Sequence, residues 1–484
     1  MKILHAVSEC LPFIKSGGLA DVAGSLPKEL VNLGTDVRLI LPNYETIPQQ
    51  YKRDMRKVAE FTVKVGWRNQ YCGILELVSE GLTYYFVDNE YYFKRDGLYG
   101  YFDDGERFSF FNRAVLEAIA HLNFSPDIIH CHDWHTGMIP FLHRVEYNRK
   151  HGYEFIRTIF TIHNLQFQGV FPKEILGDLL GIDTKYFNKE QLEFFGNINF
   201  LKAGLVSADM ITTVSSTYLA EIQTAYFGEN LDGLLRNRIS DLKGILNGID
   251  EGFYNPASDI FLYRNFDSDS ISLKVENKRF VQRELGLVEN DDIPLMVMIT
   301  RLTKQKGLEL VKTVFHEMMA EKLQMVVLGT GDFEFESFFR EMSYQYPDQL
   351  RVQIGFNEEW AHQLYAAADL FLMPSKFEPC GLGQMIAMRY GSIPIVRETG
   401  GLNDTVRAYD EWADTGNGFS FTHFNAHDML YTIRHSLSFY HYKKPIWRKM
   451  VKTAMNKDLS WAHSAFQYNL LYLELISRSA SHVF

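Results

Sequence analysis

The chain has 484 residues, more than one ordinary hydrophobic core holds, and this length predicts two large α/β domains. A formal net charge of −11 argues against nucleic acid or an anionic membrane as the main partner, so an anionic ligand needs a local group of Lys and Arg. No stretch has the roughly 20 apolar residues of a membrane span or the pattern of a signal peptide, and the scattered cysteines lack zinc-ligand spacing, so we expect a cytoplasmic protein with reduced thiols.

Short β-rich runs alternate with longer helical patterns through the first half of the chain. This alternation is typical of parallel sheets built from βαβ units. We predict strands over residues 2–7, 37–41, 84–87, 128–131, 158–162 and 210–214, and helices over 108–121 and 217–222. Between residues 44 and 107, alternating Tyr, Phe and Val predict an antiparallel excursion within this first domain.

A second series of buried strands follows the turn-rich segment 244–255. We predict these strands over residues 295–299, 325–328, 352–354, 370–373 and 394–396, most of them followed by a helix. The predicted domains are residues 1–243, joined by a last helix in 461–484, and residues 244–460. That helix carries Phe466, Leu470, Leu473 and Ile476 at helical spacing. Two doubly wound domains place their ligand loops at the carboxyl ends of their strands, which predicts a shared crevice.

The loop after the first strand contains Lys15, two adjacent glycines and Asp21 at the start of a helix. Glycines at a helix N-terminus let the backbone approach a ligand, and the exposed N–H groups favour an anion. A dinucleotide-binding loop would need a different glycine spacing, which is absent here. An anion site and a plain helix start with a surface lysine both remain open for this loop.

Three histidines and Asp133 lie at the carboxyl end of another predicted strand, in the run His130–His135. Neighbouring residues of a strand point to opposite faces, so only a bend would bring the whole set together. A metal site, a polar loop that faces a ligand and a set of packed polar residues are the alternatives, and we favour the ligand-facing loop. His163 ends the next strand in the same way, either as a satisfied core histidine or at the predicted crevice.

Positive charge and glycine-rich loops recur at strand ends in the second domain. Arg301 and Lys306 are spaced to reach one pyrophosphate over a helix N-terminus, the former with a bidentate grip and the latter as a point charge. Glu378 lies in a tight loop, where it can contact a ligand hydroxyl or remain a solvated carboxylate. Gly400 and Gly401 form a second backbone nest or a tight turn.

Taken together, these segments resemble bacterial glycogen synthases and plant starch synthases. The resemblance runs from Lys2 to about Val406 and rests on seven ordered motifs: KSGGLADV at 15–22, HCHDWHTG at 130–137, TIHN at 161–164, NGID at 247–250, TRLTKQKG at 300–307, PSKFEPCGLGQ at 374–384 and TGGLNDTV at 399–406. It implies the glycosyltransferase B fold, with two Rossmann-like doubly wound domains facing an interdomain cleft and a last helix that crosses back to the N-terminal domain.

The resemblance also implies roles for individual residues. The catalytic set would be Lys15, Asp133, His163, Arg301, Lys306 and Glu378, with the three cations on the donor diphosphate, Glu378 and His163 on glucose, and Asp133 beside the reaction centre. Further contacts to ADP-glucose would come from Gly18, Asp21, Asn164, Asn247, Phe356, Cys380, Gly381, Leu382, Thr399, Gly400 and Gly401, with Phe356 stacked on adenine. Many transferases of this fold carry a second glutamate where this chain has Ile386, with Gln384 nearby, so the ribose contacts stay open.

The implied reaction moves glucose from ADP-glucose to the non-reducing end of an α-1,4-glucan. Configuration is retained through a same-face displacement, and no metal or other cofactor is expected because Lys and Arg neutralise the leaving diphosphate. The main alternative is a related transferase that uses UDP-glucose or resembles sucrose synthase. A phosphorylase and a sugar-nucleotide epimerase fit less well, and a glucan-binding scaffold without activity would not require a diphosphate site.

Overall fold

The first part of the chain folds around one large, mostly parallel sheet. The computed structural model describes residues 1–480, with side chains through residue 478, and the contacts of these residues divide the chain into two compact units. The first unit contains Met1–Asn247 and the chain from Trp461 onward, and the second contains Gly248–Ser460. The sequence placed this boundary after residue 243, and the contacts place it after Asn247.

The first unit alternates strands and helices as its sequence pattern predicts. Its strands are β1 (Lys2–Ala6), β2 (Asp36–Pro42), β3 (Arg56–Val65), β4 (Arg68–Ser79), β5 (Leu82–Asp88), β6 (Ile128–His132), β7 (Arg157–Ile162), β8 (Val170–Pro172), β9 (Glu193–Phe194), β10 (Asn197–Asn199), β11 (Met210–Thr213) and β12 (Leu242–Gly244). Its helices are α1 (Gly18–Asn32), α2 (Gln49–Lys52), α3 (Glu90–Phe93), α4 (Asp104–Ile119), α5 (Met138–Leu142), α6 (Ile175–Asp178), α7 (Phe200–Ser207), α8 (Ser216–Glu221) and α9 (Asp232–Asn237).

The sheet of the first unit has the strand order β12-β11-β7-β6-β1-β2-β5-β4-β3. Pairing is parallel from β12 to β5, and β4 and β3 extend the sheet in antiparallel fashion. The predicted strands and the antiparallel excursion before residue 107 are therefore confirmed. A small antiparallel sheet, β8-β10-β9, lies outside this series.

The second unit is built on a smaller sheet in which all the pairings are parallel. Its strands are β13 (Leu295–Ile299), β14 (Gln324–Gly329), β15 (Leu350–Ile354), β16 (Leu370–Met373), β17 (Ile393–Arg397) and β18 (Phe419–Phe421), in the order β15-β14-β13-β16-β17-β18. Its helices are α10 (Lys274–Glu284), α11 (Leu308–Thr313), α12 (Phe315–Met319), α13 (Phe333–Gln345), α14 (Glu358–Ala367), α15 (Gly383–Arg389), α16 (Gly400–Thr405), α17 (Ala426–Tyr442) and α18 (Lys444–Met455). The second predicted series of strands is confirmed.

The two sheets position the polar loops of the chain. Strands such as β14 and β16 are buried along their whole length, which is why they consist of nearly continuous apolar runs. Polar residues occur directly after the carboxyl ends of several strands. Asp133 follows β6, His163 follows β7, and Glu378 lies in the loop after β16. Within each unit, parallel pairing brings the carboxyl ends of neighbouring strands to one edge.

The last helix, α19 (Trp461–Ala480), packs on the first unit. Its buried face joins the core around β1, β6 and α1 through Trp461, Ala465, Tyr468, Leu471, Tyr472 and Leu475. The apolar residues noted at helical spacing do not form this buried face, because Phe466, Leu470 and Leu473 are each 51% exposed, although Ile476 is partly buried. Helical spacing permits more than one stripe here, and the aromatic stripe fits the core. Within residues 1–480, no helix combines the length and apolar character needed to cross a bilayer.

Candidate active site

The loop after β1 leads into helix α1, which begins at Gly18. The Lys15 ammonium group donates to Asp21 Oδ1 at 2.8 Å, and the Lys15 side chain is 36% exposed. A Cβ added at Gly18 would meet no heavy atom within 4 Å, so the space beside this glycine is open. Positive charge and an open helix N-terminus therefore lie together, as an anion site requires.

Glu9 occupies part of this loop, and sequence reasoning missed it. Its buried carboxylate accepts hydrogen bonds from the backbone N–H and the hydroxyl of Ser16, and from the N–H of Gly17 at 3.3 Å. Burial raises the pKa of the Glu9 carboxyl, while the bonds from Ser16 and Gly17 oppose that shift. The carboxylate at the end of β1 thus shapes the loop and takes two of the N–H groups that would otherwise be free for an anion.

Asp133 joins the loops after β6 and β7. Its backbone has φ 56°, a left-handed value uncommon for a residue with a side chain, and this supplies the bend that a regular strand would not allow. Its Oδ1 accepts from the backbone N–H groups of His163, at 2.8 Å, and Asn164, at 3.4 Å. Burial raises the pKa of Asp133 to about 7, and those two hydrogen bonds act against the rise. The predicted residues Asp133, His163 and Asn164 are thereby brought together.

The histidines of this region divide into two environments. One ring nitrogen from each of His5, His130 and His132 lies within 4.8 Å of the other two, a spacing that a metal ion can use. Each ring nitrogen of the three already has a hydrogen-bond partner, so an ion would have to break this network. His135 differs, because it packs on Trp134 and neither of its buried ring nitrogens has a partner among the described residues.

A cavity of about 510 Å³ opens in the first unit beside Trp134. Its wall combines aromatic rings with carboxylate and amide groups, including Tyr101, Asp104, Trp134, Gln166, Phe167 and Glu229. The Phe167 side chain is 50% exposed although it is large and apolar. Aromatic faces next to hydrogen-bonding side chains are the composition that binds sugar rings, which have apolar faces and polar edges.

In the second unit, Lys306 and Glu378 form a close ion pair. Lys306 Nζ lies 2.6 Å from Glu378 Oε2, which also accepts from the Ser375 hydroxyl at 3.0 Å, and the two charged side chains are 14% and 8% exposed. Arg301 is exposed, and its guanidinium group donates to Gln305 Oε1 at 3.4 Å. The loops after β13 and β16 therefore place two cations and a carboxylate in one region, as the sequence predicted.

Glycines allow these loops to lie against one another. A Cβ at Gly307, which has φ 71°, would fall 1.9 Å from the Pro374 carbonyl oxygen. A Cβ at Gly400, with φ 44°, would fall 1.9 Å from the Glu378 carbonyl oxygen, and one at Gly401 would fall 2.0 Å from that of Cys380. The Gly401 N–H also donates to the Glu378 carbonyl at 3.1 Å. The loop around Thr399–Gly401 thus supports the Glu378 loop through contacts that only glycine permits.

Gln384 holds the segment Cys380–Leu382 in place before α15 begins. Its amide donates to the carbonyl groups of Cys380, at 3.1 Å, and Gly381, at 2.8 Å, and to the Thr405 hydroxyl. That amide is buried, so it supports the loop rather than facing a ligand. Ile386, the residue at the position where the resemblance led us to look for a second glutamate, is also buried, at 5% exposure.

Two further predicted residues have contrasting surroundings. The Phe356 ring, after β15, is 65% exposed and so has a free face. Asn247 is buried at the end of the first unit, and its Oδ1 has no hydrogen-bond partner among the described residues. The sequence analysis also missed Ser375 and Tyr472. Ser375 could have been found from its position just before the FEPCG motif, whereas nothing in the sequence around Tyr472, on a distant helix, indicates a role at the site.

Comparison with known proteins decides the family. The model described as starch synthase catalytic domain matches residues 2–237, and the one described as glycosyl transferases group 1 matches residues 283–441. The glycogen synthase of Anoxybacillus flavithermus is 62% identical over 483 residues, which cover 100% of both chains. The chain belongs to the glycogen and starch synthase family. It is a glycosyltransferase of this family, and the resemblance drawn from its motifs is confirmed.

Solved structures agree with this membership. The catalytic domain of Arabidopsis thaliana starch synthase IV, determined with ADP and acarbose, matches with a TM-score of 0.92 and 36% identity over 98% of this synthase-family chain and 99% of its own. Sucrose-phosphate synthase from Thermosynechococcus elongatus matches with a TM-score of 0.63 and 16% identity over 99% of each chain, which shows a shared fold alone. The predicted two-domain Rossmann-like fold of the glycosyltransferase B type is therefore confirmed.

Proposed function

We propose that this glycosyltransferase lengthens α-1,4-glucan by transferring glucose from ADP-glucose to a non-reducing chain end, with retention of configuration. The observation that carries this proposal is the 2.6 Å contact of Lys306 with Glu378 at the strand ends of the second unit. A diphosphate needs fixed cations and a sugar needs a hydrogen-bond acceptor, and these two side chains provide one of each. ADP in the related starch synthase IV structure supports adenine as the base of the donor.

The leaving group determines which residues matter for the rate. As the bond between glucose C1 and the phosphate oxygen breaks, negative charge grows on the diphosphate and positive charge on the sugar ring. Lys306 and Arg301 would stabilise that negative charge, and Lys15 with the Gly18 amide offers the same chemistry at the start of α1. When the diphosphate takes Lys306, the Glu378 carboxylate becomes free to accept from a glucosyl hydroxyl.

The second half of the reaction forms the new glycosidic bond. The acceptor 4-hydroxyl attacks C1 from the face that the phosphate leaves, and its proton passes to the departing phosphate oxygen, so atoms and charge balance. His163 and Asn164 would contact the glucosyl unit beside Asp133. The donor and the product are both α-linked, and this displacement needs neither a metal ion nor a covalent enzyme intermediate.

The cavity beside Trp134 is the proposed site for the glucan acceptor. Aromatic side chains there would stack on glucose rings, and Asp104, Gln166 and Glu229 would bond the hydroxyl groups. Half-exposed Phe167 gains burial when a sugar covers it. The acarbose in the related starch synthase IV structure supports a saccharide site in this family.

Transfer of labelled glucose to glycogen tests the proposal. The protein is given labelled ADP-glucose or UDP-glucose with and without EDTA, alongside the variants Lys306→Ala and Lys304→Ala. We expect label from ADP-glucose to enter glycogen in EDTA and to be lost in Lys306→Ala, while exposed Lys304, two residues away in the same turn, is dispensable. Preference for UDP-glucose would refute the donor, inhibition by EDTA would refute metal independence, and no transfer from either sugar would favour a glucan-binding scaffold.

A further inference from the structure

A continuous chain of hydrogen bonds between side chains crosses the first unit and ends at His163. Its links are Thr212 Oγ1 to Thr161 Oγ1 at 2.6 Å, Thr161 Oγ1 to His130 Nε2 at 2.6 Å, His130 Nδ1 to Tyr472 Oη at 2.7 Å, Tyr472 Oη to His5 Nε2 at 3.4 Å, His5 Nδ1 to His132 Nε2 at 3.0 Å, and His132 Nδ1 to His163 Nε2 at 2.9 Å. In this series of hydrogen bonds, Tyr472 lies on α19, and the other residues lie on β1, β6, β7, β11 and the loop after β7.

Every group in this chain is neutral. Burial lowers the pKa of His5 and of His163 to about 3, and it lowers the pKa values of His130 and His132 well below their usual range. Burial also raises the pKa of Tyr472 well above its usual range, so the phenol keeps its hydrogen. A neutral imidazole or a hydroxyl has one hydrogen to donate. The direction of any one bond therefore determines the direction of the next.

The direction is decided at the Thr212 end. The Thr212 side chain is fully buried, and Thr161 Oγ1 is its only hydrogen-bond partner among the described residues. A buried hydroxyl hydrogen without an acceptor is unfavourable, so Thr212 donates to Thr161. Thr161 must then donate to its other partner, His130 Nε2, and His130 carries its hydrogen on Nδ1.

The remaining links follow in the same direction. His130 Nδ1–H donates to the Tyr472 oxygen, and the Tyr472 hydroxyl donates to His5 Nε2. His5 Nδ1–H donates to His132 Nε2, and His132 Nδ1–H donates to His163 Nε2. His163 then carries its hydrogen on Nδ1, which has no partner among the described residues in a half-buried side chain. These tautomers are assigned from the network as a whole.

We propose that this chain holds His163 in the Nδ1–H tautomer, so that its free ring nitrogen donates to an oxygen of the bound sugar nucleotide. Thr212, Tyr472, His5 and His132 are then positioning residues that act through His163. The donation rests on the proposed placement of His163 beside the glucosyl group, whereas the tautomer does not. The same series of hydrogen bonds accounts for the close spacing of His5, His130 and His132 without a metal ion.

Nitrogen NMR of the full-length protein with labelled histidine tests the tautomer directly. Long-range proton–nitrogen correlation distinguishes a protonated ring nitrogen from an unprotonated one, and the spectrum of His163→Gln identifies the His163 signals. We expect Nδ1 of His163 to be protonated in the protein without ligand. A hydrogen on Nε2 would overturn the proposal, as would metal analysis of the purified protein that finds an ion bound stoichiometrically and lost in His5→Gln.

Two variants test whether the chain sets this tautomer. Tyr472→Phe removes the central hydroxyl, and Thr212→Val removes the hydrogen that decides the direction, so each should give a mixture of His163 tautomers, while Thr212→Ser should restore the single form. Glucosyl transfer by Tyr472→Phe should fall in kcat/KM by about 10-fold, comparable to the loss when a hydrogen-bond partner that orients a metal-bound histidine is removed. If Tyr472→Phe does not fold, Thr212→Val supplies the same comparison.

The outcomes separate this inference from the proposed function. If Tyr472→Phe or Thr212→Val shows a mixture of His163 tautomers but undiminished transfer, while His163→Gln is inactive, the proposed role of the hydrogen-bond series is overturned. A protonated Nδ1 together with full activity of His163→Gln would instead refute the placement of His163 beside the donor, and with it the donation to the sugar nucleotide.

Discussion

Lys306 Nζ lies 2.6 Å from a carboxylate oxygen of Glu378 in the second unit. Each of these charges neutralises the other while both are largely removed from water, and the Ser375 hydroxyl completes the surroundings of the carboxylate. A donor diphosphate would compete with Glu378 for Lys306. The same contact thus stabilises the loops after β13 and β16 and prepares two groups for a sugar nucleotide.

Removing Lys306 should affect both stability and rate. Lys306→Ala leaves a buried carboxylate without its cation, which costs about 3 kcal/mol in the free energy of unfolding. The loss of a preorganised charge at the diphosphate should lower kcat by about 100-fold or more. Thermal melting and transfer kinetics measure the two effects, with Lys304→Ala as the matched control. A stable Lys306→Ala variant of full activity would contradict the assignment.

Lys15 should act mainly on the rate. Lys15 is 36% exposed in its ion pair with Asp21, whose side chain is 13% exposed. Pairs at the protein surface contribute about 0–1 kcal/mol, so Lys15→Ala should melt close to the parent protein. Because its charge matters most as the diphosphate leaves, we expect kcat to fall by more than KM for ADP-glucose rises. Lys28→Ala, which breaks the ion pair of this α1 residue with Glu80 in the turn between β4 and β5, is the control. A change in KM alone would refute the transition-state role.

Gly18 allows a steric test of the anion site. The open space around this glycine means that Gly18→Ala folds without a clash. A methyl group there would nevertheless occupy the volume that the proposed donor phosphates need at the start of α1. We expect unchanged melting with weaker binding of ADP, measured by calorimetry. Gly177→Ala, another position with no atom near an added Cβ, should bind ADP as the parent does; equal affinity in the Gly18 variant would exclude phosphate contact there.

Acid should destabilise the first unit through its buried histidines. His5, His130 and His132 have folded-state pKa values below the unfolded value of about 6.5, with that of His5 at about 3. The unfolded chain therefore binds more protons below pH 6.5, and stability falls as the pH drops, by about 1.4 kcal/mol per pH unit for each histidine. Asp133 acts in the opposite direction between about pH 4 and 7, because its pKa is raised to about 7.

Melting temperatures across this range check the acid effect. They should fall from about pH 7 to pH 5, since these three histidines together with His163 outweigh Asp133 and Glu9, whose pKa values are raised. His5→Gln removes one titrating group and should show a shallower dependence, whereas His151→Gln, at a fully exposed side chain, should keep the parent slope. Equal slopes for the two variants would show that the pKa of His5 is the same in the folded and the unfolded protein, contrary to the expected lowering.

The sequence by itself determined the strands, the doubly wound fold class, the family and the residues around Lys15, Asp133, Lys306 and Glu378. These features are local: apolar runs form buried strands, and polar or glycine-rich motifs follow the strand ends, so both are visible along the chain.

Only the tertiary structure decided how distant residues meet. Glu9 in the loop before α1, the glycine contacts behind Glu378 and the buried face of α19 depend on packing between segments far apart in sequence. Tyr472 is the clearest case, because it lies 342 positions from His130 in the chain and 2.7 Å from it in space. Helical spacing on α19 admits two apolar stripes, and the choice between them follows from the core that the rest of the unit provides.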